Sequence, residues 1–131
     1  MQGSLSRRLF AIAAMLTVAP MARAQPMPPL VGHWKGLVPG LGNAEIIVAA
    51  VRTNGQLDGR MVFPDQNQTF AFGDKLDIAN STNHGVLQGS SLTIETAMGG
   101  TYRLTVGSGS LDGEYVRGNT YKVAVTFQKA G

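Results

Sequence analysis

The chain has no cysteine among its 131 residues. Disulfides, thiolate zinc sites, thiol nucleophiles and a cysteine-linked lipid anchor are therefore excluded. Tryptophan occurs once and histidine twice, and only 15% of the residues are charged. His33 and His84 do not stand at a metal-ligand spacing such as H-x-H or H-E-x-x-H, so a metal would need scattered carboxylates. No G-x-S-x-G nucleophile elbow occurs anywhere. No apolar run reaches the roughly 20 residues that span a bilayer. Excess charge is also missing once the first 24 residues are set aside. Of the 11 basic residues, Arg7, Arg8 and Arg23 fall in that segment, which has no acid, and the remaining eight meet 8 acidic ones. The basic pI of 9.6 thus belongs to a leader, and the rest lacks the positive surface that nucleic acid requires.

That leader reads as a signal peptide over residues 1–24. Arg7 and Arg8 form its charged start, Leu9 to Val18 its short apolar run, and Ala22-Arg23-Ala24 a small-x-small cleavage site. Cleavage between Ala24 and Gln25 leaves no membrane anchor and places the domain in the periplasm or outside a bacterial cell. Ser6-Arg7-Arg8-Leu9-Phe10 is similar to the twin-arginine pattern, so both that route and the general secretory route stay open. Residues 25–30, rich in proline, form an extended lead-in, and 31–131 form the domain.

Sixteen of the 17 glycines lie beyond the leader and punctuate runs of about 6–10 residues, the spacing of antiparallel all-β folds. Tyr121, Val123, Val125 and Phe127 alternate with Lys122, Ala124 and Thr126, which is a strand with one apolar face. Leu57, Met61 and Phe63 share a parity, as do Leu92, Ile94 and Met98, and Tyr102, Leu104 and Val106. The expected strands are 31–38, 43–52, 56–63, 68–73, 75–79, 85–88, 91–98, 100–106, 110–116 and 120–128. The fifth and sixth have the poorest pattern, and Asn80-Ser81-Thr82-Asn83 between them reads as a loop. Glu45 to Arg52 is apolar almost throughout, which implies cover on both faces or pairing with itself in an oligomer. The expectation is a small antiparallel up-and-down β-barrel of about eight strands, its interior either filled by side chains or holding one small ligand.

An internal echo supports two hairpins built alike. Gly55-Gln56-Leu57-Asp58-Gly59 matches Gly109-Ser110-Leu111-Asp112-Gly113. The first glycine suits a tight turn with positive φ, the leucine points in, the aspartate points out, and the second glycine faces in. Such an inward glycine admits a bend or a bulky neighbour. Asp58 and Asp112 read as solvent-facing carboxylates rather than a catalytic pair, and His33 and His84 as an outward and a loop histidine. No catalytic residue, metal or cofactor is expected.

Gly32-His33-Trp34-Lys35-Gly36 near the start of the domain resembles the G-x-W of the lipocalin and avidin (calycin) group. That resemblance implies a barrel whose Trp34 packs across one end, under a basic residue of the last strand, here Lys129. The whole domain is also similar to the β-domain that precedes the catalytic domain of some secreted bacterial α/β-hydrolases. The shared features are Trp34 to Gly36, Gly55 to Gly59, Pro64-Asp65-Gln66, Gly109 to Gly113 and Val123 to Phe127. The second resemblance, with no catalytic domain following and few catalytic residues present, implies a non-enzymatic protein. Two roles follow: holding a small apolar or aromatic molecule, or acting as an accessory module for another envelope protein. For the first role the candidate contacts are Trp34, Tyr102 and Tyr115. Each tyrosine lies on an apolar parity, carries a hydroxyl that needs a partner when buried, and is followed closely by an arginine, Arg103 or Arg117.

Overall fold

A computed structural model describes residues 29–131; the leader and the Ala24–Gln25 cleavage pair lie outside the described residues. Nine strands run in order: β1 (Gly32–Val38), β2 (Gly42–Val51), β3 (Leu57–Phe63), β4 (Gln68–Phe72), β5 (Thr82–Gln88), β6 (Ser91–Glu95), β7 (Thr101–Val106), β8 (Ser110–Arg117) and β9 (Tyr121–Lys129). Each pairs with its neighbour in sequence, and β9 closes on β1 through Trp34–Lys129 and Gly36–Phe127. The all-β closed barrel is thus the observed architecture. One end, called the floor, carries the β2–β3 and β7–β8 connections and the C-terminus. The other, called the rim, carries the β1–β2, β6–β7 and β8–β9 turns.

The expectation of about eight strands, all antiparallel, needs correction. β5 is longer than expected and joins the barrel as a ninth strand, and β4 and β5 run parallel, matched at Ala71–Thr82 and Phe72–Asn83. The expected strand at 75–79 is instead part of an outward excursion, Gly73–Ser81. There Asp77 accepts from the Asn80 side-chain amide at 2.8 Å and from its backbone N–H at 3.3 Å. This local turn competes with any ladder. Because the excursion lets the chain re-enter in its original direction, the next strand is parallel. A crossover this short is tolerated because the two strands overlap by only two residues.

Asn83 corrects the loop reading of 80–83. It is fully buried: its Oδ1 accepts from the Ala97 N–H at 2.8 Å, and its Nδ2 faces the Met61 sulfur at 3.7 Å. The amide is kept inside because it satisfies a backbone donor of the β6–β7 connection. The apolar stretch of β2 also departs from expectation. A bulge between Val48 and Ala50, opposite Gly59, breaks the alternation, so among the described residues Ala49 and Ala50 are both exposed.

The core fills the barrel. Trp34, Phe63, Tyr102, Tyr115 and Phe127 are each at most 1% exposed, and Ile46, Leu57, Met61, Leu92, Ile94 and Leu111 pack among them. Inward glycines make room for this set. At Gly36 a Cβ would lie 2.9 Å from the Phe127 ring. At Gly113 a Cβ would collide with the Arg103 carbonyl oxygen, so β7 approaches β8 more closely than any other residue permits. The two halves of the echo share the inward leucine and inward glycine, but only Gly55 of their first glycines has positive φ, at 90°.

Gly113→Ala is expected to destabilise the domain by about 3 kcal/mol, as forced overpacking does. Gly109→Ala, where a Cβ meets nothing within 4 Å, is expected to change stability little. Urea unfolding of the two variants checks the contrast. Equal effects would mean that the β7–β8 approach is not a constraint.

Candidate functional site

The floor is built around Trp34. Its Nε1 donates to the Leu30 carbonyl at 2.9 Å, and Lys129 Nζ lies 5.3 Å from the ring centroid. Leu30, at the end of the expected lead-in, is itself buried in the core. The tryptophan is 0% exposed, so no face of it is open to a ligand.

Tyr102 lies deeper. Its ring stacks at a tilt on Tyr115, centroids 4.6 Å apart, and edge-on to Phe127 at 6.1 Å. Its hydroxyl is buried and has no hydrogen-bond partner among the described residues. Burial pushes its pKa well above the ordinary tyrosine value, and the nearby Tyr115 adds to the shift. The neighbouring Arg103 points outward toward Glu114, 3.8 Å away, and takes no part in the interior.

Tyr115 reaches the rim. Its hydroxyl donates to the Gly99 carbonyl at 2.9 Å. The Gly99–Gly100 turn is required for this seat: both residues have positive φ, and a Cβ at Gly100 would collide with the Tyr115 hydroxyl. Burial raises the Tyr115 pKa, while Arg117 pulls it back down. Tyr121 stands edge-on to Tyr115 at 6.1 Å, and its hydroxyl donates across the mouth to the Pro39 carbonyl. Arg117 shares the inward parity of Tyr115 but lies past the last covered position, so it projects over the mouth. One of its Nη2 hydrogens goes to the Met98 carbonyl, 3.1 Å away.

These groups enclose a cleft of about 270 Å³ lined by Gly40, Leu41, Tyr115, Arg117 and Tyr121. Larger hollows lie on the outer wall. One, of about 570 Å³, runs beside Arg103, Glu114 and Lys122, where the two cations share one carboxylate. Another, of about 490 Å³, lies at the floor beside Leu30, Val51 and Leu87. Its Arg52 is held by Asp58 at 2.9 Å and Asp74 at 3.2 Å.

Of the three candidate contacts, the fold brings Tyr102 and Tyr115 together and leaves Trp34 at the opposite end. Tyr115 lines the rim cleft. Tyr121 and Leu41 complete the site and were not singled out in the sequence. The available signal was Tyr121 as the first residue of the alternating β9 run, an inward ring at a strand end. The other polar candidates serve local structure. His33 Nε2 is 2.6 Å from Glu45 Oε1, and His84 Nδ1 is 3.0 Å from the Gly73 carbonyl. Asp112 accepts from the Ser110 and Thr126 hydroxyls, each at 2.8 Å, which hold its carboxyl below the usual range.

The tyrosines are expected to separate on mutation. Tyr115→Phe loses a hydrogen bond and costs about 1 kcal/mol, whereas Tyr102→Phe, which loses none, is neutral or stabilising. The unfolded chain releases tyrosine protons near pH ~10, while the folded chain holds the Tyr102 proton more tightly. Stability is therefore present below that pH and falls as the pH rises beyond it. Melting temperatures between neutral and strongly alkaline pH are expected to fall less steeply for Tyr102→Phe than for the wild type. An unchanged alkaline slope would show that the Tyr102 hydroxyl is not sealed.

No family model matches the chain, and no curated protein or solved structure matches it either.

Proposed function

We propose that this chain is an exported, non-enzymatic, lipocalin-like barrel that binds a small apolar or aromatic molecule at its rim. The observation that carries the reading is the contrast between a filled interior and the aromatic cleft of Leu41, Tyr115 and Tyr121 beside it. Apolar clefts with a few fixed polar groups are the usual form of small-molecule sites. Both tyrosine hydroxyls are tethered to backbone carbonyls, so the rings are held before anything binds. Trp34 beneath Lys129 supports the kinship with lipocalins and avidins, in which that packing closes one end. Export rests on the leader and the Ala24–Gln25 site, and the destination is the periplasm or the medium.

The second reading is an accessory module related to the β-domain of secreted hydrolases. It is favoured by Leu37 on the outer face of β1, which is 61% exposed, with Val31 and Ile78 also exposed. In that role the outward residues Asp58, Arg60 and Glu114 carry the partner contact, and the rim tyrosines do not.

Titration of the isotope-labelled mature domain with the neutral probe 2-naphthamide distinguishes them. Saturable amide shifts confined to Leu41, Met98 to Gly100 and Arg117 to Tyr121, abolished by Leu41→Asp, are the expected result. Shifts centred on the Trp34 indole would move the ligand inside the barrel and overturn the rim. Absence of saturable shifts would leave the accessory module as the better reading.

A further inference from the structure

We infer that the rim cleft is built for an aromatic anion, with a one- or two-ring body on Tyr115 and Tyr121 and a carboxylate or sulfonate on Arg117. This rests on the rim-cleft reading and specifies its ligand class.

The first argument is the charge state of the cleft. Among the described residues Arg52 is paired with Asp58 and Asp74, and Arg103 and Lys122 share Glu114. Lys129 lies over Trp34. Arg117 has no carboxylate within ion-pair distance, and no acidic side chain lines its cleft. Lys35, Arg60 and Lys75 also lack a carboxylate partner, but none of them lines an aromatic hollow. Lys35 shares its groove with Glu45.

The second argument is positioning. A free surface arginine samples many rotamers, and fixing one costs binding energy. Here the Met98 carbonyl takes one Nη2 hydrogen and the Tyr115 hydroxyl a second contact, which positions the guanidinium and still leaves it donors to spend on a ligand. A planar guanidinium with free donors matches a carboxylate or sulfonate in a two-bond fork.

The third argument is what the cleft does not offer. The Tyr115 and Tyr121 hydroxyls are already bonded to Gly99 and Pro39. Their remaining surface is ring, and Leu41 adds aliphatic wall. With the hydroxyl protons spent, the guanidinium is the cleft's charged donor, and a ligand satisfying both parts is apolar at one end and anionic at the other. A volume of about 270 Å³ falls just under the ~300 Å³ at which drug-sized pockets begin, which limits the body to one or two rings.

The test compares 2-naphthoate with its neutral isostere 2-naphthamide by calorimetric titration of the mature domain at neutral pH. The wild type is expected to bind naphthoate about tenfold or more tighter than the amide, the size of a charge-assisted hydrogen bond. In Arg117→Gln the ratio is expected to fall to near one, and in Arg117→Lys to an intermediate value. Melting curves establish that each variant is folded. If Arg117→Gln does not fold, Arg117→Lys and the loss of the naphthoate preference in high salt supply the same comparison. Equal wild-type affinities for the two probes, or a preference unchanged by both substitutions, would overturn the anion assignment while leaving the rim cleft as a site. Binding of neither probe would overturn the rim reading and this inference with it.

Discussion

The packing of rings against inward glycines inside a closed barrel is the constraint on which the rest depends. A barrel of this size either fills its interior with side chains or keeps a cavity. Here Trp34, Phe63, Tyr102, Tyr115 and Phe127 point into one space and are all but inaccessible. Burying each large apolar side chain is worth about 1.5–3 kcal/mol, provided that the packing leaves no gap. The glycines make such packing achievable. Gly36 lies opposite Phe127 in the ladder, and Gly113 lets β7 close on β8. Gly85 stands where a Cβ would press on Leu57 at 2.8 Å and on Phe72 at 3.4 Å. Large and small residues therefore complement each other in register.

That solution moves any chemistry to the ends. At the floor, Leu30, Lys129 and the C-terminal backbone close over Trp34. The His33 N–H bonds to the Gly131 carbonyl at 3.1 Å, and the Ala130 N–H bonds to the His33 carbonyl at 2.7 Å. At the rim, closure is made by three long-range tethers from β8 and β9 to turns: Tyr115 to Gly99, Tyr121 to Pro39 and Arg117 to Met98. These bonds hold the turns together but leave the ring faces and most of the guanidinium uncovered. The floor is thus a seal and the rim a shaped surface, although both are made from an aromatic ring and a cation.

Local periodicity carried the fold class. Runs such as Tyr121–Phe127 state their inward face residue by residue, and the structure places Tyr102, Tyr115 and Phe127 on that face. The Lys129–Trp34 contact was expected from the resemblance to the lipocalin and avidin group rather than from the residues alone, and the structure has it. What was not legible depended on distant partners. The parallel β4–β5 seam follows from an Asp77–Asn80 turn whose strength no alternation pattern reports. Asn83 looked like a loop residue because its burial is balanced by Ala97, 14 positions away. The β2 bulge is set by Gly59 across the ladder. Tyr121 joined the site through Pro39, 82 positions away, a separation that no local reading spans.

The central claim is that the interior is solid, and the proposed ligand site at the rim depends on it. Empty apolar cavities admit xenon, and packed cores do not. A crystal of the mature domain pressurised with xenon tests this most directly. The account predicts no xenon site among Trp34, Phe63, Tyr102 and Phe127, with any occupancy confined to the clefts outside. A xenon atom bound among those four side chains would show an internal cavity and contradict it.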